Sequence, residues 1–205
     1  MNKTKIEWCD YTWNPVVGCK HACYYCYAQR INQRFKMIPN WTKPKFFPER
    51  LTEPAKVQKS SKIFIGSMCD LFGNWVPKKW IDSVLEVCQA LPRHEFMFLT
   101  KNPKRYLDYE VYPGNVWLGM TLSEGNTKEL RNYVWHVHHT HWKKFVSIEP
   151  LRGDFSKFNF YPMTKIIVGA MTGPNPVVPR KQWIDSIISH NTFYKNNMKE
   201  YLGRR

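Results

Sequence analysis

Five short runs rich in β-branched and aromatic residues, at 63–67, 96–100, 116–120, 145–149 and 166–170, each give way to small or polar residues. A strand that faces water on one side alternates apolar and polar positions. These runs do not, and near-continuous hydrophobicity over about five residues marks strands buried on both faces, as in a parallel sheet. Between them lie helical patterns. Residues 77–91 place Trp80, Ile81, Val84, Leu85 and Cys88 at helical spacing between Pro77 and Pro92. Segment 102–109 is a shorter candidate, 127–137 another, and 179–189 repeats the first pattern with Trp183, Ile184, Ile187 and Ile188. Strand, helix and strand at roughly thirty-residue spacing predict right-handed βαβ units. A first strand near 16–18 and a last at 192–194 bring the expected count to about seven.

A closed eight-fold barrel takes about 250 residues, and this chain has 205. The expected fold is therefore α/β, a partial, open (β/α) barrel of six to seven parallel strands, forming a single domain over 1–205. Functional groups on such a sheet belong at the C-terminal ends of the strands. Those ends carry Ser67 and Asp70, Thr100 and Lys101, Thr121 and Ser123, Glu149, and Ala170-Met171-Thr172. Residues 36–62, with their Pro, Lys, Trp and Phe, read as a surface excursion.

Chemistry concentrates in Cys19-Lys20-His21-Ala22-Cys23-Tyr24-Tyr25-Cys26, a C-x3-C-x2-C spacing. Three thiolates on one loop can take three corners of a cubane iron-sulfur cluster, whereas a structural zinc usually draws four ligands from two knuckles. The second knuckle is missing here. A [4Fe-4S] cluster held by Cys19, Cys23 and Cys26 leaves one iron open to a small molecule. The other reading is a zinc site completed by His21 or Cys9. Cys69 and Cys88 read as small packed residues. Three crowded and three scattered cysteines suit a reducing compartment better than a disulfide framework.

The cysteine spacing, with Tyr25 before the last thiol, resembles the cluster motif of the radical S-adenosylmethionine (SAM) superfamily. Ile6-Glu7-Trp8, Trp13-Asn14-Pro15-Val16, Leu99-Thr100-Lys101-Asn102-Pro103, Ser147-Ile148-Glu149-Pro150-Leu151 and Ile167-Val168-Gly169 extend the likeness over nearly the whole chain. They resemble a phage- and prokaryote-encoded group of radical-SAM-like proteins described only as phage proteins of unknown function. The resemblance implies that SAM chelates the open iron. The reduced cluster would then split the sulfonium to a 5′-deoxyadenosyl radical, with an electron donor such as flavodoxin or ferredoxin. It further implies that Ser67 and Asp70 receive the SAM ammonium. Thr121, Ser123 and Glu149 would meet the ribose, Tyr25 would lie against adenine, and Gly169 would offer close backbone approach. Where Gly-Gly-Glu-Ser is expected after the sixth strand, the chain reads Gly169-Ala170-Met171-Thr172, so a carboxylate is missing.

Thirty-one Lys and Arg against 16 Asp and Glu give a formal charge of +15, which makes polyanions the first partner class to consider. The clusters at 56–62, 101–105, 143–144 and 195–205 are interleaved with Trp41, Phe46, Phe47, Trp75, Trp80, Tyr106 and Trp183. Cations and stacking rings together suit DNA, RNA or a nucleotide as substrate. The run 135–142 holds four histidines, but it precedes a strand and so belongs at the sheet end away from the cysteines. Lys101 and Lys195 are further candidates for meeting an acidic group. No run of about eighteen apolar residues occurs, and the start Met1-Asn2-Lys3-Thr4-Lys5 leads into no apolar leader. A cytoplasmic, monomeric protein without a membrane partner is expected, in host cytoplasm if phage-encoded. Two functions stand open: a radical SAM enzyme acting on an anionic substrate, and a nucleic-acid-binding module whose cluster is structural or redox-sensing. The missing carboxylate favours the second.

Overall fold

A computed structural model describes residues 1–124, 141–158, 160, 163–173, 175–187 and 191–203. The strands are β1 (Asn2–Lys3), β2 (Tyr11–Trp13), β3 (Val16–Val17), β4 (Lys45–Phe46), β5 (Lys62–Ile65), β6 (Glu95–Thr100), β7 (Val116–Leu122), β8 (Lys143–Ile148), β9 (Lys165–Val168) and β10 (Thr192–Tyr194). The helices are α1 (Tyr27–Phe35), α2 (Lys78–Ala90), α3 (Lys181–Asp185) and α4 (Lys199–Leu202). The fold is α/β with an open, mostly parallel sheet of eight strands in the order β1-β2-β5-β6-β7-β8-β9-β10. Two compact units divide the chain, Met1–Leu118 and Gly119–Arg205.

In the first unit β2 pairs parallel with β5 and β5 with β6, while β1 pairs antiparallel with β2. Ile63, Ile65, Phe96 and Phe98 are fully buried, each contributing about 1.5–3 kcal/mol of transfer free energy. Helix α2 buries Ile81, Val84, Leu85 and Cys88, as its spacing predicts, and starts after Pro77. The 102–109 segment is a 3-10 helix over Pro103–Asp108, a short turn anchored by the fully buried Tyr106. In the second unit β8 pairs parallel with β9 and β9 with β10. Helix α3 is shorter than the 179–189 pattern. The expected helix at 127–137 and His136, His138 and His139 lie outside the described residues.

Two expectations are corrected. The sheet does not take its first strand from 16–18. Instead Tyr11, Thr12 and Trp13 register against Ile63, Phe64 and Ile65, and Val16 and Val17 form an antiparallel ribbon with Phe46 and Lys45. Trp13 decides this: its indole is fully buried, and its N–H donates to the Arg50 carbonyl at 2.8 Å. Nor is 36–62 merely a surface excursion. Ile38 and Trp41 are buried in one cluster with Val17, Ala28 and Met68, and Cys19, Cys26, Met37 and Phe47 pack against it. The segment thus supplies the apolar wall behind the cysteine loop. Among the described residues no helix is long and apolar enough to cross a membrane.

Candidate functional site

The cysteine loop begins where Gly18 takes φ +109° and its N–H donates to the Met68 carbonyl at 2.9 Å. A Cβ here would lie 2.8 Å from the Trp41 carbonyl oxygen and 2.9 Å from Ile38 Cδ1, so only glycine fits. Cys19 follows, its N–H donating to the same Trp41 carbonyl at 3.0 Å. At the far end Cys26 caps α1: its sulfur accepts from the Gln29 N–H at 3.4 Å. Helix α1 is seated by Ala28 and Asn32. The Asn32 amide closes a two-way bond with Ile38, donating to its carbonyl at 3.0 Å and accepting from its N–H at 2.9 Å. Both ends of the loop are therefore fixed to the 36–62 wall.

All six cysteines are free thiols, and Cys19, Cys23 and Cys26 are half-buried. Burial pushes the Cys19 thiol up to about 11; the His21 backbone opposes the rise, while Asp70, Cys26 and Cys23 add to it. Burial likewise raises Cys69, reinforced by Asp70 and Cys19, and Cys69 forms a parallel bridge with Gly18. Among the described residues no three or more His, Cys, Asp or Glu side chains converge to hold one metal ion. A cluster whose irons each take one thiolate does not require that convergence. It does require countercharge for sulfurs that repel one another, which iron supplies. The donor set fits a cluster on those grounds.

Asp70 is the centre of the polar structure beside this loop. Its buried carboxylate accepts from His21 Nε2 at 2.6 Å, from Thr100 Oγ1 at 2.6 Å, from Phe72 N–H at 3.1 Å and from Lys101 N–H at 2.9 Å. The loop after β5, the end of β6 and the cysteine loop are thus tied to one side chain. His21 also meets Trp75 edge-on, with ring centroids 4.8 Å apart. Lys101 directs its ammonium to the Tyr25 hydroxyl at 3.2 Å. Ser67 exchanges hydrogen bonds with the Asn14 amide, whose Oδ1 also accepts from Met68 N–H at 2.9 Å. The Ser67 carbonyl accepts from the Tyr27 hydroxyl at 2.8 Å. The structure therefore ties Ser67, Asp70 and Lys101 to the cysteine loop and the start of α1 through His21, Tyr25 and Tyr27.

In the second unit Glu149 pairs with Lys195. Gly169 admits them: a Cβ there would lie 3.1 Å from Glu149 Cγ and Cδ and 3.1 Å from Lys195 Cδ. The partner that an acid ending an apolar strand needs is this lysine. Asn197 closes the neighbouring turn by bonding both the N–H and the carbonyl of Ala170. Thr121 lies in β7, and Ser123 just beyond it accepts from the Arg152 N–H through its carbonyl at 3.0 Å.

Sequence reasoning missed Asn14, Tyr27 and His21 as a partner of Asp70, whereas Thr100 already stood among the strand-end candidates. Asn14 lies inside the Trp13-Asn14-Pro15-Val16 motif, just after β2, which was the available signal. Two rings offered for stacking are corrected: Trp41 and Tyr106 are buried in the core and present no face to a base. Phe46 is stacked on Trp80 at 5.4 Å.

A family model described as "Protein of unknown function (DUF5131)" matches residues 3–196, and the chain belongs to that family. Among curated proteins it is similar to "Uncharacterized protein MJ0683" of Methanocaldococcus jannaschii, 28% identical over 136 residues, which covers 63% of this chain and 51% of that protein. Among solved structures it is similar to spore photoproduct lyase complexed with dinucleoside spore photoproduct, with TM-score 0.59, 11% identity, and 82% of this chain and 57% of that one covered. A variant of the same lyase with bound AdoMet and dinucleoside spore photoproduct gives TM-score 0.59, 12% identity, and 83% and 58% coverage. The chain thus spans little more than half the length of the proteins it matches.

Proposed function

We propose that this member of a family without assigned function is a radical SAM enzyme that acts on a nucleotide polymer. The observation that carries the reading is the loop itself: three half-exposed thiols, anchored at both ends and set beside the Asp70 network at the ends of parallel strands. Cys19, Cys23 and Cys26 hold a [4Fe-4S] cluster. When bound and reduced by a one-electron donor, the cluster and SAM supply a 5′-deoxyadenosyl radical and methionine. The likeness in fold to a lyase structure holding AdoMet and a dinucleoside photoproduct supports both the cofactor and the substrate class.

The chain's own residues bind and orient. Asp70 holds His21 and the Lys101 backbone in place, and so acts on the cysteine loop as a positioning residue. Ser67, fixed by Asn14, presents a hydroxyl for the SAM ammonium, and Tyr25 presents an aromatic face for adenine. Within the second unit Lys195 orients the Glu149 carboxylate, and Gly169 leaves room for the pair. The substitution of Met171 for an expected acid supports a second reading, a nucleic-acid-binding module that keeps the cluster without catalysis.

Product analysis separates the two. Anaerobically reconstituted, dithionite-reduced protein incubated with SAM is expected to release 5′-deoxyadenosine and methionine in equal amounts. Protein carrying a full complement of iron that releases neither overturns the enzymatic reading.

A further inference from the structure

Helix α1 buries only Ala28 and Asn32, and its outward surface is divided into two rows of different chemistry. Tyr27, Ile31 and Phe35, four residues apart, form an apolar row that is 47%, 36% and 64% exposed. Tyr24, in the cysteine loop just before the helix, is 67% exposed. Arg30 and Arg34 are also four apart and exposed, and form the adjacent row. The Arg34 guanidinium lies 5.2 Å from the Phe35 ring centroid, so the rows touch. No Asp or Glu occurs anywhere from Cys19 to Lys36.

Large rings left in water cost free energy that a buried stripe would recover, and a purely cationic flank selects an anionic occupant. A folded acidic protein satisfies the charge but has no reason to segregate it from the rings. A single strand does: phosphates run along one edge and π-faces along the other. In a duplex those faces are hidden by pairing and stacking. Ile31, between the rings, suits a thymine methyl or deoxyribose and offers nothing to a 2′-hydroxyl.

We propose that α1 is a docking rail for single-stranded DNA, with bases against Tyr24, Tyr27, Ile31 and Phe35 and phosphates along Arg30 and Arg34. The proposal rests on the nucleotide-polymer reading above and names the surface and the strand state that it requires. It places the DNA beside the loop that Cys26 closes.

The test is fluorescence anisotropy with a labelled thymidine oligomer on the full, reconstituted chain. Phe35→Ala, at the end of α1 away from Cys26, is expected to weaken binding by about 5-fold to 150-fold, the range that one stacked base is worth. The double variant Arg30→Ala/Arg34→Ala is expected to flatten the slope of log affinity against log salt by about 1.4, two phosphates on a single strand. Both variants should keep wild-type iron content and circular dichroism. Affinity and salt slope unchanged in both variants overturn the proposal, as does a uridine oligomer bound as tightly as the thymidine one. Release of 5′-deoxyadenosine is read in the same samples. An α1-dependent affinity in protein that makes none supports the rail and sinks the enzymatic reading. Normal release with unaltered DNA binding in the variants sinks the rail alone.

Discussion

Cys23→Ala is expected to abolish the broad absorbance near 400 nm and to reduce bound iron to background after anaerobic reconstitution, while the chain stays folded. Cys23 is half-buried, so losing its sulfur leaves no deep cavity, and its expected effect falls on the cluster alone. Cys19→Ala and Cys26→Ala should lose iron equally, the latter with a small added cost because its sulfur caps α1. Cys88→Ala, on the opposite kind of surface inside α2, should keep its iron. Loading should also depend on pH with a definite sign. Iron binds thiolate and releases the thiol proton. Because Cys19 is held up to about 11, protons compete throughout the neutral range, and iron uptake should rise as pH is raised. Uptake that is flat or falling with pH would count against Cys19 as a ligand.

Asp70→Ala should produce the largest loss of stability. The carboxylate is buried and accepts four hydrogen bonds from His21, Thr100, Phe72 and Lys101. An alanine leaves those donors facing apolar surroundings. A buried donor left without its acceptor costs about 1–3 kcal/mol. Partial exposure of His21 and Lys101 lets water recover some of this, so a net loss of about 3–5 kcal/mol is expected, a large share of the about 5–15 kcal/mol that holds a domain folded. Urea unfolding reads it as a lower midpoint at unchanged slope. Asp70→Asn keeps one oxygen for Thr100 and Phe72 and should lose about half as much. Equal stability of wild type and Asp70→Ala would mean that the network does not hold the loop.

Much of the fold is legible because burial writes itself into composition. The five apolar runs are strands since apolar residues dominate both of their faces, and α1 runs from Tyr27 to Phe35 because Cys26 closes the loop and Lys36, in the left-handed region, stops the helix. The first strand is misplaced for a physical reason. Tyr11-Thr12-Trp13 mixes polar and apolar positions at the edge of the parallel strands, whereas Val16-Val17 is buried by a different neighbour, the 36–62 wall. That wall is hidden in turn by its Pro and Lys content, since Ile38 and Trp41 are the large apolar side chains it buries. The site is half legible. Cysteine spacing is local, so it survives in one dimension. The bonds Asn14 to Ser67 and His21 to Asp70 span 53 and 49 positions, and no local pattern encodes them. Glu149 was marked by its misfit in an apolar strand, but its partner Lys195 is 46 positions away.

Electron paramagnetic resonance of the reconstituted, reduced chain, recorded before and after SAM is added, bears most directly on an open iron held by three thiols. A [4Fe-4S] signal that changes shape on addition of SAM, and is absent from Cys23→Ala, is expected. A signal indifferent to SAM, or no cluster signal with all three thiols intact, contradicts the assignment.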